Sequence, residues 1–270
     1  MDDEVIRSLT NPLVKRLVRL RQRRAREREG VVLVEGTREL ERALGAGWQL
    51  ELLVTCPALA TPAARAASDA FAAAALDHRR FSAPAFAKVS LRERPDGVLG
   101  VVRSPSLDLD DLAWPEDGLY LVLAGLEKPG NVGALLRSAD AAGCQGVFVT
   151  GAGTDLGNPN VVRASMGSLF AQPVLYVDDD HLQHTWRRRR VRVVATSPGA
   201  TKPFWSVPMT GALAIVVGPE HTGLGAAWLA AAEEVVTIPM RGAADSLNVA
   251  TVGALVRFEA LRQRHSPQMG

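Results

Sequence analysis

The sequence predicts an α/β protein of two domains, and three observations support that prediction. The chain has 270 residues, which is long for one small domain and suits two of ordinary size. Hydrophobic residues make up 47% of it, enough to fill cores. Short apolar runs alternate with helix-like segments in both halves, separated by an aperiodic stretch rich in Pro, Ser and Asp. We therefore expect an N-terminal domain over 1–103, a linker over 104–117 and a C-terminal domain over 118–270.

The first domain is expected to begin with a basic helix and then to alternate strands with helices. Residues 31–36 form an apolar run that ends in glycine, and Thr37 after it is a good helix cap. Glu39 and Glu41 follow in the first turns, where the helix dipole favours carboxylates. The remaining predicted elements of this domain are strands at 50–55 and 97–102 and helices at 37–46 and 62–77.

The second domain shows a longer α/β alternation, which is typical of a parallel sheet. Strands are predicted at 119–124, 147–150, 174–177, 191–196, 213–217 and 235–238. Helices are predicted at 132–142, 160–170 and 246–264. The last helix carries apolar residues at helical spacing: Leu247, Ala250, Ala254, Leu255, Phe258 and Leu261.

Composition excludes several classes of protein. Cys56 and Cys144 are the only cysteines, too few for a disulfide framework or a cysteine metal cluster, and this suits a reducing compartment. The five histidines do not cluster at metal-ligand spacing, so no metal is expected. The sequence contains no apolar signal core and no run near the roughly 20 apolar residues that cross a bilayer. We expect a soluble, cytoplasmic protein with no membrane partner.

The net charge of +2 conceals two concentrated basic runs. Residues 11–30 contain eight basic side chains against Glu27 and Glu29. A second run spans 187–190, with Arg192 just after it. Arginine binds phosphate oxygens in a bidentate manner, so each run is either a nucleic-acid contact or a solvated helix face.

Three segments of the second domain join the end of a predicted strand to the start of a helix, where parallel α/β sheets gather ligands. In the first, 131–137, Asn131 is a good helix cap. Arg137 lies off the apolar stripe of its helix, so its guanidinium can reach a site at the strand ends. Alternatively, it pairs with a surface carboxylate.

The second segment, 217–224, places Gly218 directly after a strand, where the missing side chain lets a flat ligand approach the backbone. Glu220 follows, either as a functional carboxylate or as one favoured by a helix dipole.

The third segment comprises 238–240 and 246–250. Pro239 stops strand pairing and leaves main-chain groups free. Ser246 is expected to cap the last helix, and Asn248, a poor helix former in its first turn, calls for a functional reason.

Together and in this order, these segments resemble the SpoU/TrmH branch of the SPOUT RNA methyltransferases, which methylate ribose 2′-hydroxyls with S-adenosylmethionine. The family has Asn with Arg six residues later, then Gly-x-Glu-x-x-Gly-Leu, then Ile-Pro-Met and Ser-Leu-Asn-Val-Ser. Ala250 stands here where Ser is common in the family, which weakens a catalytic role for that position. Residues 158–167 also match, and the resemblance covers nearly the whole chain.

The resemblance implies S-adenosylmethionine as cofactor and a set of site residues. The catalytic set is Arg137, Asn131, Glu220, Ser246 and Asn248. The cofactor-binding set is Thr196, Gly218, Ile238, Met240 and Leu247. The RNA-binding set is Arg163, Lys15, Arg16, Arg23 and Arg24. Because arginine has a pKa above about 12 and is a poor base, Arg137 is expected to bind the target phosphate and stabilise the developing alkoxide. A role as proton acceptor is the alternative.

The resemblance also implies an α/β knot, against the usual rule that folds are unknotted, together with a small N-terminal α/β substrate-binding domain. It implies a homodimer in which Arg137 of one subunit completes the site of the other. The apolar stripe of the last helix is then a candidate interface, or else ordinary core.

Three other functions were weighed against this one. A non-catalytic RNA binder with the same fold would bind no S-adenosylmethionine. A tRNA methyltransferase is disfavoured because the minimal tRNA-acting relatives usually lack the first domain. The third alternative is a nicotinamide-dependent dehydrogenase, because residues 151–157 mimic a dinucleotide-binding fingerprint and Asp178 to Asp180 could supply the acid that binds the ribose. The glycine spacing of this segment is one residue too long for that fingerprint.

Overall fold

The computed structural model describes residues 5–265, which divide into two compact units. Unit 1 runs to Ser106 and also includes Asp155–Ala171. Unit 2 consists of Leu107–Thr154 and the chain from Gln172 onward. A short piece of the C-terminal half is therefore part of the N-terminal unit.

Residues 5–103 form five strands and five helices. These are β1 Val5–Ile6, α1 Pro12–Arg19, α2 Arg23–Glu29, β2 Val32–Glu35, α3 Thr37–Gly45, β3 Gln49–Thr55, α4 Pro62–Ala74, β4 Asp77–Phe81, α5 Ala83–Val89 and β5 Val98–Arg103. The sheet has the order β1-β4-β3-β5-β2. β5 is antiparallel to both of its neighbours, and the other pairs are parallel.

Residues 104–265 form seven strands and six α-helices. These are β6 Leu119–Ala124, α6 Pro129–Ala141, β7 Gly146–Thr150, α7 Pro159–Ala164, α8 Ser168–Ala171, β8 Val174–Tyr176, α9 Asp179–Arg189, β9 Arg192–Thr196, β10 Lys202–Pro203, β11 Leu213–Val217, α10 Ala226–Ala231, β12 Glu234–Thr237 and α11 Val249–His265. The sheet order is β10-β12-β9-β11-β6-β7-β8, and every neighbouring pair is parallel.

The predicted strands are present, and β6, β7 and β11 are runs of fully buried, mostly apolar residues. Several elements that were not predicted from the sequence also form, and β4 and α9 are two of them. β4 was assigned to the end of a helix or to no element, because only Phe81 of its five residues is buried. α9 has a largely polar sequence, and it begins where the Asp178 carboxylate caps the main-chain N–H groups of Asp180 and His181.

Two predicted helices are each split in the structure. The basic N-terminal stretch forms α1 and α2, and α2 ends at Gly30 in the left-handed conformation, with a φ of 66°. The helix expected at 160–170 forms α7 and α8, because Met166 and Gly167 between them have φ values of 53° and 88°.

The segment expected to be a linker, 104–117, contains a single 3₁₀ turn at Leu109–Asp111. Leu109 and Leu112 are 4% and 7% exposed and belong to the core of unit 2. Trp114 packs against Tyr120, with ring centroids 5.0 Å apart. Much of this segment is therefore a folded part of unit 2.

Helices α6 and α11 of unit 2 pack closely against each other. A side chain at Gly253 would come within 2.5 Å of Leu135 Cδ2, so glycine permits the close approach of the two helices. Arg257 is fully buried there and donates to the Ser138 hydroxyl. Burial lowers the pKa of Arg257 to about 10. Among the described residues, no helix is long and apolar enough to cross a bilayer.

Candidate active site

A cavity of about 600 Å³ lies at the carboxyl ends of three neighbouring strands of unit 2. Thr196 ends β9, while Gly218 and Ile238 directly follow β11 and β12. Met240 and Leu247, from the following loop, complete the five predicted cofactor-binding residues, and all five line the cavity. Its volume lies in the range of small-molecule sites, and the carboxyl edge of a parallel sheet is where such sites form.

Gly218 is required by the packing of the turn that follows β11, which differs from the expectation that its missing side chain makes room for a ligand. A Cβ atom at this position would lie 2.8 Å from Leu224 Cδ2 and 3.0 Å from the Gly223 carbonyl oxygen. The turn after β11 therefore packs against the space that a side chain would need. The cavity combines such backbone with the apolar side chains of Val252 and Val256 and the polar side chains of Thr196 and Ser246. This mixture suits an adenosine with a charged amino-acid tail.

The Glu220 carboxylate, on the wall of the cavity, connects all three motif segments. Its Oε1 accepts hydrogen bonds from Asn131 Nδ2 at 3.1 Å and from Asn248 Nδ2 at 2.9 Å. The same oxygen accepts from the Val249 main-chain N–H at 3.2 Å. Its Oε2 pairs with Lys128 Nζ at 2.9 Å. We call Lys128, Asn131, Glu220 and Asn248 the Glu220 cluster.

The cluster keeps Glu220 ionised. The hydrogen bond from Lys128 is the largest cause that lowers the pKa of the Glu220 carboxyl, followed by the bond from the Val249 N–H. Val249 is the first residue of α11, so the carboxylate also lies at a helix N-terminus, where the dipole favours a negative charge.

Two helix caps predicted from the sequence are wrong. Asn131 was expected to cap α6, but the helix begins at Pro129, and the Asn131 side chain lies in the first turn and points to Glu220. Ser246 was expected to cap the last helix. Instead Asn248 does so, because its Oδ1 accepts from the Ala250 N–H at 2.9 Å and its carbonyl accepts from the Val252 N–H at 3.0 Å. Ser246 is exposed and lines the cavity.

Arg137 is not part of this cluster in the single chain. It is exposed on α6 and does not line the cavity. Six residues separate it from Asn131, which places it roughly 9 Å further along the helix and about 120° around its axis. Within residues 5–265, its guanidinium makes no hydrogen bond or ion pair. The guanidinium is therefore free to meet a group from outside its own chain.

Comparison with known families identifies both parts of the chain. Residues 118–258 match the SpoU rRNA methylase family, and residues 11–100 match the MRM3-like substrate-binding domain. The chain belongs to the SpoU rRNA methylase family. The resemblance stated from the sequence is thereby confirmed.

Whole-chain relatives agree with this assignment. The chain is 32% identical to an uncharacterized tRNA/rRNA methyltransferase of Synechocystis, over 96% of this chain and 94% of that protein. It is 29% identical to the 23S rRNA (guanosine(2553)-2′-O)-methyltransferase RlmP of Bacillus subtilis, over 94% of this chain and 97% of that protein.

Solved structures show the same architecture. An RNA 2′-O ribose methyltransferase superposes with a TM-score of 0.83 at 42% identity, over 96% of this chain and 99% of that chain. An AdoMet-bound rRNA methyltransferase from Sinorhizobium meliloti superposes with a TM-score of 0.88 at 29% identity, over 97% and 99%. The predicted fold class, enzyme class and S-adenosylmethionine cofactor are confirmed by these matches.

Lys128, the one cation of the Glu220 cluster, was not predicted from the sequence of this SpoU family member. An exposed lysine in a turn carries no periodic signal, and its partner lies 92 residues away in the chain. Its place three residues before Asn131 was the available hint. Further lining residues of the cavity were also missed: Ser197, Pro198, His221, Thr222, Val236, Thr237 and Asp245.

The predicted RNA-binding residues of unit 1 differ in their availability. Arg16 pairs with Glu29 at 2.8 Å, and Arg23 pairs with Glu27 at 2.6 Å. Lys15 and Arg24 are exposed, and neither makes an ion pair within the described part of the chain. Of the four predicted residues in the basic run, these two therefore keep a charge that no carboxylate compensates among the described residues.

Two further arginines of the same basic run stabilise unit 1. Arg21 donates to the carbonyl oxygens of Lys88 and Ser90, at 2.8 and 2.6 Å. Arg26 is 3% exposed and pairs with Asp155 at 2.5 Å. Arg163, the fifth predicted RNA contact, is exposed on α7 and belongs to unit 1 as well.

The residues that mimic a dinucleotide-binding fingerprint have structural roles. Asp178 caps α9, and Asp155 of the glycine-rich segment pairs with Arg26, so neither is placed to bind a ribose. Among residues 5–265, no group of three or more His, Cys, Asp or Glu side chains could hold a metal ion.

Proposed function

We propose that the protein transfers a methyl group from S-adenosylmethionine to a ribose 2′-hydroxyl of 23S rRNA. The convergence of three sequence segments on one carboxylate beside a cofactor-sized cavity is the observation that supports this most directly. The relatives from Bacillus subtilis and Streptomyces viridochromogenes are named for 2′-O methylation of 23S rRNA. A substrate-binding domain over residues 11–100 favours a large RNA substrate.

The cavity residues bind and orient the cofactor. When bound, S-adenosylmethionine supplies an electrophilic methyl group on a sulfonium. Gly218, Ile238, Met240 and Leu247 line the cavity and would hold the adenosine part of the cofactor. Orientation of the two reactants accounts for much of the rate of such a transfer.

The Glu220 cluster fixes the geometry at the edge of the cavity. Glu220 holds Asn131 and Asn248 in place, and the two amides are also linked directly, with Asn248 Nδ2 2.9 Å from Asn131 Oδ1. The amides present polar groups to the target ribose, and Ser246 adds a hydroxyl on the same wall. The ribose oxygen must lose its proton as the O–C bond forms, and preorganised dipoles lower the cost of that charge.

Arg137 completes the site from a second subunit. The proposed homodimer uses α11, whose residues Leu255 and Phe258 are 40% and 44% exposed, while Ala254 and Leu261 are half-buried. Leu255 and Phe258 of the stripe predicted from the sequence thus face outward, whereas Leu247 lies before the helix and lines the cavity. A different set of residues packs inward: Val249, Gly253, Val256, Arg257 and Ala260. Because α11 packs on α6, a partner on this face comes close to Arg137.

The N-terminal unit binds the RNA through its accessible cations. Removing everything before Val31 is a poor test, because Val14, Leu17 and Leu20 are core residues at 1% exposure or less. Replacing Lys15 and Arg24 by Gln keeps the fold. We expect the double variant to bind 23S rRNA more weakly, with a salt dependence reduced by roughly 0.7–0.9 in log–log slope per lost phosphate contact. An unchanged slope in filter-binding titrations would contradict these two contacts.

The function itself is tested by mapping 2′-O-methylated positions in 23S rRNA and tRNA from cells with and without the gene. We expect one ribose methylation of 23S rRNA to disappear in the deletion strain and to return when the wild-type gene is restored. A lost tRNA methylation, or no change in either RNA, would contradict the proposal. The cytoplasmic location stays a prediction.

A further inference from the structure

The second basic run forms an exposed group of arginines at the end of α9. Arg187, Arg188 and Arg190 are exposed in the last turn and at the C-cap of the helix, and Arg192 begins β9 just after them. We call these four residues the α9 arginine cluster. The neighbouring Arg189 is separate, because its guanidinium lies 5.9 Å from the centre of the Trp114 ring.

The positive charge of the cluster is largely uncompensated. In the described part of the chain, Arg187, Arg188 and Arg190 form no hydrogen bond or ion pair through their side chains. Arg192 Nη2 donates to the Pro208 carbonyl oxygen at 2.6 Å, a neutral partner. Like charges this close repel each other, and a helix C-terminus needs fewer cations than these to satisfy its dipole.

A cleft of about 380 Å³ opens beside the cluster, with Arg187, Arg190 and Arg192 in its lining. Gln183 and Trp186 also line it, and the Gln183 Nε2 and Trp186 Nε1 donors have no hydrogen-bond partner among the described residues. The opposing group in the lining is the Glu233 carboxylate, whose Oε2 is already engaged by the Val193 main-chain N–H at 2.5 Å. Three arginines and one carboxylate line the cleft, so it is cationic and fits an anion with several oxygens.

This cleft is distinct from the cofactor cavity. Arg192 is the first residue of β9 and Thr196, which lines the cofactor cavity, is the last. The four-residue rise of a strand separates the two ends by roughly 13 Å. A phosphate bound at the cluster therefore belongs to a different nucleotide from the one being methylated.

We propose that the α9 arginine cluster is a second RNA-backbone site, which binds phosphates of the substrate beyond the target nucleotide. Arginine suits this role because its planar fork binds two phosphate oxygens at once. The proposal rests on the proposed function for the identity of the RNA, but its binding chemistry is independent of methyl transfer.

The test replaces Arg187, Arg188 and Arg190 by Gln and measures binding to an unmodified 23S rRNA transcript at several salt concentrations. We expect the log–log slope of affinity against salt to fall by about 2, since each lost phosphate contact removes roughly 0.7–0.9. S-adenosylmethionine affinity should equal that of the wild type. The triple Lys variant of the same positions should keep most of the slope, because it keeps the charge.

Two controls separate a binding role from a structural one. Lys202→Gln removes an exposed cation of β10 whose charge Glu234 already compensates at 2.6 Å, so it should leave the slope within error of the wild type. Arg190→Gly removes one cluster charge at a position with a φ of 56°, which glycine adopts without strain, so it should fold even if the triple Gln variant does not.

An unchanged slope in both the triple Gln variant and Arg190→Gly, or a slope that falls equally in Lys202→Gln, would overturn the cluster as an RNA site. A lower melting temperature with unchanged RNA binding would also overturn it, because the arginines would then only stabilise the helix end. If the wild type binds the transcript with the expected slope but transfers no methyl group, the proposed function fails and the cluster stands.

Discussion

Glu220 determines where the other polar groups of the site lie. Its two oxygens accept from Lys128, Asn131, Asn248 and the Val249 N–H, so one carboxylate orders parts of three segments that are far apart in the sequence. Charge-assisted hydrogen bonds of this kind are stronger than neutral ones, and they fix both partners. The carboxylate thus positions the amides. The guanidinium of Arg137 is the group that we expect to stabilise the negative charge that forms on the ribose oxygen.

Arg137→Ala should reduce methyl transfer by more than about 100-fold, the effect of losing one preorganised charge at a developing oxyanion. S-adenosylmethionine binding should stay unchanged, because Arg137 does not line the cavity. Single-turnover methylation and calorimetric cofactor titration measure the two effects separately. Arg137→Lys keeps the positive charge but not the planar guanidinium, so its rate of methyl transfer should lie between the rates of the wild type and of Arg137→Ala. Normal turnover by Arg137→Ala would remove it from the chemistry.

Lys128→Met should shift the acid limb of the kcat profile to higher pH. Lys128 is the largest cause of the lowered pKa of Glu220, so its removal raises that pKa. The ionised carboxylate is present above its pKa and is lost as the pH falls through it, so the variant loses activity at a higher pH than the wild type. Lys128→Arg should retain the wild-type profile. If the acid limbs of Lys128→Met and the wild type coincide, the ionisation of Glu220 does not control the pH dependence of kcat.

At the level of elements, the strand ends place the site, and the sequence predicted most of them. Gly218 and Ile238 each directly follow an apolar strand, so a local pattern is enough to locate them. Lys128 and the cap at Asn248 were not predictable in this way, because each is defined by a contact with a distant segment or by a helix boundary. The polar helix α9 was missed for a related reason: few of its residues face the core, so its periodicity is weak.

Gly218→Ala should weaken S-adenosylmethionine binding by about tenfold, the effect of an extra methyl group in a closely packed turn. Its Cβ would lie 2.8 Å from Leu224 Cδ2, and the turn would have to shift into the cavity. Gly225→Ala is the matched control, since no atom lies within 4 Å of a Cβ at that position. Calorimetric titration of both variants tests this expectation, and equal affinities would show that the Gly218 turn does not limit cofactor binding.

At the scale of the whole molecule, the position of Arg137 and the outward face of α11 lead to the same conclusion. The single chain holds the cofactor cavity and the Glu220 cluster together, but Arg137 lies on a different face of α6. Leu255 and Phe258 expose an apolar surface on the helix that packs against α6. In the proposed homodimer, a two-fold axis through this surface would bury the apolar side chains and bring each Arg137 towards the other chain.

Phe258→Asp should therefore convert the protein to a monomer in sedimentation experiments and abolish methyl transfer together with it. Placing a carboxylate in a desolvated apolar interface is strongly unfavourable. Leu229→Asp is the matched control, because Leu229 is 37% exposed on α10 and outside the proposed interface. A dimeric Phe258→Asp protein, or an active monomer, would contradict this arrangement.

A mixing experiment decides whether Arg137 acts across the interface. Arg137→Ala lacks the guanidinium, and Gly218→Trp blocks the cofactor cavity, so each homodimer should be inactive. In a heterodimer the Gly218→Trp chain supplies Arg137 to the intact cavity of its partner, giving one complete site. Random pairing makes half of the dimers heterodimers with one working site each, so about a quarter of wild-type activity should return. If Arg137 acted within its own chain, every mixture would stay inactive, whatever the ratio of the two variants.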